Sequence, residues 1–236
     1  MDEYTTKVLN SFWPQAKPAA LPLPMNVLHL KCMVEKYVSC YRCLLQASNE
    51  LAHYSPAQWR SYKHECARES ITDAIVKLGC LLDSMAVYDA NMHGVNPDLD
   101  NVTFANHEFS TEFLSLMKTK IASLRSPRSD ESERTSEVGF ATLFNFYKHY
   151  FPYLPLPMTH IVRVSDNEYV AFGDFTIPFG DAHNGSKSGP IMSDVVVPVF
   201  RLVKEMLCKL NESLPSGRVD ELDARLSDEF ALRFGR

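Results

Sequence analysis

The stretch NVLHLKCMVEKYVSCYRCLL, residues 26–45, decides the fold class of this chain. Its apolar side chains recur at intervals of three and four residues, which places them on one face of an α-helix. The positions with this spacing are Val27, Leu30, Met33, Val34, Tyr37, Val38, Tyr41, Leu44 and Leu45. A helix with so broad an apolar face needs a partner to cover it. Residues 26–50 are therefore predicted to form a core helix.

A second long helix is predicted for residues 56–88. Ser55 and Pro56 form a suitable start, because serine caps helix N-termini and proline fits the first helical position. Apolar residues follow at the helical period as far as Met85. We expect this helix to pack antiparallel to the first one.

Three shorter helices and a small β-insert complete the predicted fold. The shorter helices are predicted at residues 108–124, 138–151 and 194–212, the last with Ser193 or Asp194 as its cap. Runs rich in β-branched and aromatic residues between 159 and 180 predict a β-hairpin or a three-stranded insert, and no other strands are expected. Nine glycines are few for an all-β domain rich in tight turns. The chain is therefore predicted to be mainly α, a multi-helix bundle with a small β-insert.

Proline-rich and polar segments indicate the domain organisation. Residues 1–25 contain four prolines and are expected to form an extended N-terminal arm. Residues 126–137 lack apolar side chains other than proline, so they are expected to form an exposed loop. We therefore predict one helical domain over residues 26–236, which contains that loop and the β-insert at 159–180.

Composition and charge bound the function. A formal net charge of −5 gives no overall basic surface for nucleic acid, although a local patch remains open. The chain has no run of about 18 apolar residues that could span a membrane. Its first residues are acidic where a secretory signal would be basic. We expect a cytoplasmic protein with no membrane partner.

The six cysteines are expected to be reduced and largely buried. Cys40 and Cys43 have the spacing of a metal or redox motif, but they lie inside a strongly periodic helix. They are therefore interpreted as core thiols.

Acidic residues offer weaker candidates. Asp83, Asp89 and His93 could form a carboxylate–imidazole set, but polar residues near a helix end usually cap and solvate it. Gly173 and Asp174 are interpreted as a turn.

The segment ATLFNFYKHYFP, residues 141–152, carries the strongest candidate site. Asn145 and His149 are four residues apart and so project from one helical face, and Lys148 directly precedes the histidine. A histidine can move a proton in either direction near neutral pH, and a neighbouring amide or ammonium can hold phosphate charge. The predicted catalytic residues are His149 as acid/base, Asn145 as its orienting or phosphate-binding neighbour and Lys148 as charge stabiliser. The alternative is that Asn145 and His149 form hydrogen bonds inside an aromatic core.

Asn145, three intervening residues and His149 resemble the signature of the HEPN superfamily. These are helical, usually dimeric, metal-independent ribonucleases and RNA-associated proteins of toxin–antitoxin and antiviral systems. In the family an arginine directly precedes the polar residue and stabilises phosphate charge, and here that position is Phe144. The resemblance therefore implies either a catalytically altered member or one whose cation comes from Lys148 or from a residue elsewhere.

Two functions follow from these observations. The first is an HEPN-like RNA-binding protein or metal-independent ribonuclease of a toxin–antitoxin or phage-defence system. The resemblance implies a homodimer, and no metal or organic cofactor would be needed. The alternative is a non-enzymatic helical scaffold that binds a protein partner through residues 1–25 or 151–157. An open polar surface around His149 favours RNA chemistry, and a filled aromatic core favours the scaffold.

Overall fold

The computed structural model of the protein describes residues 25–51, 62–93, 101–126, 128–129, 138–149, 155–165, 168–176, 187–188 and 190–212. The predicted arm at 1–25 lies outside these residues apart from Met25. The helices in the described part are α1 (Met25–Leu51), α2 (Tyr62–Met92), α3 (Glu112–Ser123), α4 (Phe140–His149) and α5 (Val197–Glu212). The predicted fold, mainly α with a small hairpin insert, is confirmed. None of the described helices combines the length and apolar character of a bilayer-spanning segment.

The two longest helices, α1 and α2, form the centre of the molecule. They run antiparallel, because His29 near the start of α1 contacts Tyr88 near the end of α2, whereas Cys43 further along α1 contacts the earlier Lys77. Lys36 Nζ donates to Ser84 Oγ at 3.1 Å, and Cys40 Sγ donates to the carbonyl of Ala74 at 3.4 Å. The predicted antiparallel packing is therefore confirmed. Helix α2 also extends past its predicted end at residue 88.

Helix α5 covers one side of this pair. The ring of Phe200 is stacked on Tyr37 with centroids 4.2 Å apart, and its centroid lies 6.2 Å from that of Tyr41. Buried apolar side chains of all five helices belong to one core. Each fully buried Val, Leu, Ile, Phe or Met side chain contributes roughly 1.5–3 kcal/mol of hydrophobic stabilisation. The periodic apolar face of α1 is thus covered as expected.

The strands in the described residues form three antiparallel pairs. They are β1 (Arg125–Ser126), β2 (Arg128–Ser129), β3 (Val138–Gly139), β4 (Leu156–Ser165), β5 (Glu168–Thr176) and β6 (Lys187–Ser188). β1 pairs with β3, β2 with β6, and β4 with β5. The β4–β5 hairpin is the predicted insert, but the prediction that strands lie only between 159 and 180 is wrong. Two-residue strands leave no alternating pattern in the sequence, since tertiary contacts decide them.

The loop predicted at 126–137 differs from the structure at its beginning. Ser126 is fully buried and pairs with Val138, so the prediction of exposure is wrong at this residue. The pairing of Ser126 in β1 with Val138 in β3 accompanies the burial of this short polar side chain. Residues 130–137 lie outside the described ranges. The helix predicted at 138–151 begins only at Phe140, because the two residues before it belong to β3.

A carboxylate from the hairpin caps the last helix. Asp174 is buried in β5 and accepts hydrogen bonds from the backbone N–H groups of Met192 at 2.8 Å and Ser193 at 2.9 Å. The positive end of a helix favours such a carboxylate. The predicted cap at Ser193 or Asp194 is therefore wrong, as is the predicted turn at Asp174.

A wider π-helical turn at Met192–Val196 leads into α5. Pro198 is the second residue of α5, and it has no N–H to bond to a carbonyl in the preceding turn. The irregular start of this helix is consistent with that missing donor.

Candidate functional site

Helix α4 presents its candidate residues to solvent. Phe140, Leu143 and Tyr147 are buried and fix the inward face of the helix. Asn145 and His149 are exposed on the side that points away from the core. With about 3.6 residues per turn, Lys148 lies beside them, and it is exposed as well.

The exposure of these three side chains answers one question left open by the sequence. Hydrogen bonding of Asn145 and His149 inside an aromatic core does not occur, because both are on the surface. The structure brings Asn145, Lys148 and His149 together on one outward face, which is called the α4 face below.

Phe144 occupies the position where the HEPN pattern has arginine, and it serves to dock the helix. Its ring lies flat against α2 at Gly79, so that a Cβ atom there would overlap the ring. Glycine inside a helix costs about 1 kcal/mol relative to alanine, and this close approach is a physical reason for it. Lys148 Nζ lies 5.4 Å from the ring centroid of Phe144, within the range of a cation–π contact. The aromatic ring thus borders the α4 face and holds a cation beside it.

Arg68 of α2 is a second cation near α4, and no local pattern in the sequence predicts its position. Its Nε donates to the carbonyl of Pro155 at 2.9 Å, which ties α2 to the start of the hairpin. Burial raises the pKa of Tyr147, and the Arg68 charge opposes that shift. The Arg68 guanidinium therefore lies close enough to the buried Tyr147 hydroxyl to influence its pKa.

The carboxylate–imidazole set takes a different form from the one considered in the sequence. Asp89 is buried, and its carboxylate accepts two hydrogen bonds from Ser110. The backbone N–H of Ser110 donates at 2.9 Å and the Ser110 hydroxyl donates at 2.6 Å. His107 Nε2 lies 2.9 Å from Asp89 Oδ2, and His93 Nδ1 lies 3.6 Å from Oδ1. Asp83 is engaged elsewhere, since it accepts a hydrogen bond from the backbone of Phe104 at 2.9 Å.

These contacts make Asp89 an anchor for the segment that leads into α3. Ser110 and His107 both contact the carboxylate, so the geometry is not that of a nucleophile activated by a histidine. The eighteen-residue separation of Asp89 and His107 leaves no local sequence signal. Within the described ranges, no group of three or more His, Cys, Asp or Glu side chains is arranged to hold a metal ion.

An open groove of about 580 Å³ lies between α3 and α5. It is lined by Phe113, Arg201, Lys204, Glu205, Cys208, Lys209 and Glu212. Lys209 Nζ lies 3.2 Å from Glu212 Oε2, so this cation of the groove is already paired with a carboxylate. Charges of both signs line the groove, and it has no strong preference for an anion.

None of the six cysteines forms a disulfide, and they differ in exposure. Cys40 is buried as predicted, but Cys32 and Cys80 are exposed and Cys43, Cys66 and Cys208 are only partly buried. The expectation of largely buried thiols, and of Cys43 as a core thiol, is therefore wrong. An amphipathic helix has both buried and exposed positions. The apolar spacing around Cys32 and Cys80 did not show which of the two each cysteine occupies.

Comparisons with known proteins do not extend the HEPN resemblance. No family profile, curated protein or solved structure matches this chain. The resemblance therefore rests on Asn145, His149 and the helical context.

Proposed function

We propose that the α4 face binds RNA and that the protein is an HEPN-like RNA-binding protein or metal-independent ribonuclease. The setting proposed for it is a cytoplasmic toxin–antitoxin or phage-defence system, with the protein acting as a homodimer. The observation that carries the proposal is the joint exposure of Asn145, Lys148 and His149 on one side of α4. A polar, solvent-open surface with a cation is the arrangement that RNA contact needs.

The three side chains have separate roles in this proposal. His149 accepts the proton of a ribose 2′-hydroxyl while that oxygen attacks the adjacent phosphorus atom. Protonated His149 then returns a proton to the leaving 5′-oxygen. Lys148 stabilises the negative charge that develops on the phosphate oxygens, and Asn145 holds a phosphate or the imidazole by its amide. The ring of Phe144 limits the positions that the Lys148 ammonium can occupy.

The direct test is RNA cleavage by His149→Ala in the presence of EDTA. We expect the wild-type protein to cleave single-stranded RNA without a metal, and the variant to lose at least about 100-fold in rate, as removal of an acid/base group does. The thermal midpoint should stay near the wild-type value because His149 is exposed. Lys120→Ala, which removes an exposed lysine of α3, is the matched charge control for Lys148→Ala.

Two results would contradict the catalytic part of the proposal. One is full cleavage by His149→Ala. The other is a purified wild-type protein that cleaves no RNA. RNA binding is then judged separately by fluorescence anisotropy, in which Lys148→Ala should weaken binding more than Lys120→Ala does.

A non-enzymatic scaffold is the second candidate, and the docking role of Phe144 favours it. The position that supplies a cation in the family is here used to pack α4 against Gly79. Of the two predicted partner segments, 151–157 lies outside the described residues as far as 154. Pro155 is buried, and its carbonyl accepts a hydrogen bond from Arg68. Residues 1–25 remain as the partner segment to test. Capture of one defined partner that requires residues 1–25, with RNA affinity unaffected by Lys148→Ala, would favour the scaffold.

A further inference from the structure

Cys43 and Lys77 form a thiol–ammonium pair between the two central helices. Lys77 Nζ, on α2, donates a hydrogen bond to Cys43 Sγ, on α1, at 3.1 Å. The same ammonium lies 3.5 Å from Asp73 Oδ2, one turn earlier on α2. Cys43 is half-buried and the Lys77 side chain is 36% exposed, so the pair is partly open to solvent.

The neighbouring thiol of the same motif has a different environment. Cys40 is fully buried, and its Sγ donates to the carbonyl of Ala74 at 3.4 Å. Burial raises the pKa of the Cys40 thiol, with the nearby Cys43 adding to the shift and Lys77 opposing it. Cys40 is therefore held as a neutral core thiol, whereas Cys43 is accessible and paired with a cation.

The charge state of Lys77 suits it to stabilise an anion. Partial burial lowers its pKa, but the hydrogen bond and charge of Cys43 together with the Asp73 carboxylate outweigh burial, and the net pKa is raised. Lys77 is therefore an ammonium at neutral pH. A thiolate beside a lysine in a partly exposed site is the reactive form of cysteine in proteins.

We propose that Cys43 is a peroxide-reactive modification site, with the Lys77 ammonium as its anion stabiliser and Asp73 as the group that positions Lys77. The thiolate sulfur attacks one oxygen of hydrogen peroxide, a sulfur–oxygen bond forms and the oxygen–oxygen bond breaks. The oxygen that bonds to sulfur keeps its hydrogen, so the sulfur is oxidised by two electrons directly to a sulfenic acid. The departing hydroxide takes a proton from Lys77 or solvent and leaves as water. This site is independent of the α4 face.

Exposure and charge make opposite predictions about which cysteine reacts first. Cys32 and Cys80 are more exposed than Cys43. If oxidation followed exposure alone, these two would be modified first. If it follows the paired cation, Cys43 is modified first, and the two exposed cysteines serve as internal controls.

The test uses the reduced full-length protein, limiting hydrogen peroxide and dimedone to trap sulfenic acids, with peptide mass spectrometry as the readout. We expect label on Cys43 at lower peroxide than on Cys32 or Cys80. Lys77→Met should slow the labelling of Cys43 about tenfold, because the ammonium that faces the sulfur is removed. Labelling of Cys32 and Cys80 should be unchanged, and Lys77→Arg should restore most of the rate.

Asp73→Asn keeps the variant test informative if Lys77→Met fails to fold. Asp73 is 63% exposed, so its replacement leaves the packing of α1 against α2 intact and should slow Cys43 labelling in the same direction by a smaller factor. Earlier labelling of Cys32, Cys80 or Cys208 in the wild type overturns the proposal. So does a Cys43 rate that neither Lys77→Met nor Asp73→Asn lowers.

Discussion

Phe144 is a single side chain that leaves α4 without the cation that the HEPN pattern has at this position. The sequence shows that the arginine of the HEPN pattern is missing, but it does not show what the replacement does. The structure gives the reason, because the ring fits against the bare backbone of Gly79. This contact joins residues that are distant in the chain, so neither periodicity nor motif spacing could have predicted it.

His29 makes the stability of the protein sensitive to acid at the residue scale. Burial of the imidazole lowers its pKa from the ordinary 6.5, and the Lys36 charge adds to the shift. The unfolded chain therefore binds a proton at His29 more readily than the folded protein does. Stability is lost as the pH falls through 6.5, and the loss is complete below the folded-state pKa.

His29→Gln should remove this part of the acid sensitivity. Urea unfolding of the wild type at about pH 8 and about pH 5, the range in which histidines titrate, gives the reference difference. The variant should show a smaller loss of unfolding free energy between the two pH values. Lys36→Met should shrink the loss by less, since Lys36 is the weaker cause. A His29→Gln variant with the full wild-type loss would contradict this assignment.

At the scale of elements, the long helices were predictable and the irregular parts were not. The apolar period of α1 and α2 gave their existence and their antiparallel packing, because a broad apolar face needs a matching one. The start of α5 was mispredicted, since its cap is Asp174 from a strand that is distant in sequence. The two-residue strands were missed for the same reason. A sequence pattern within a few residues cannot indicate a capping residue or a paired strand that lies far away in the chain.

Gly79→Ala should undock α4 from α2. Alanine favours a helix over glycine by about 1 kcal/mol, but a Cβ that overlaps Phe144 costs about 1–3 kcal/mol in packing strain. We expect a net loss of up to roughly 2 kcal/mol in the free energy of unfolding, measured by urea denaturation. Adding Phe144→Leu should recover part of that loss, so the double variant is less destabilised than the sum of the single variants.

Gly139→Ala is the matched control for this cycle. A Cβ at Gly139 would meet the end of the Arg125 side chain, which can move aside. The change should therefore stay within about 0.5 kcal/mol of the wild type. Strictly additive effects of Gly79→Ala and Phe144→Leu would show that the ring does not dock at Gly79.

At the scale of the whole molecule, the fold decides which residues of the motif helix are available. Helical spacing alone places Asn145 and His149 on one face. It cannot tell whether that face points inward or outward. Burial of Leu143 and Tyr147 against the central helices turns the α4 face to solvent. His107, Ser110 and Arg68 were not predicted as site neighbours because tertiary packing alone brings them to Asp89 and Tyr147.

Photo-crosslinking tests the proposed contact between the α4 face and RNA. The protein is bound to single-stranded RNA that contains 4-thiouridine, irradiated and digested, and the crosslinked peptides are identified by mass spectrometry. We expect the crosslinked nucleotides on the peptide that contains residues 140–149. Crosslinks confined to the groove between α3 and α5, or no crosslink on residues 140–149, would contradict it.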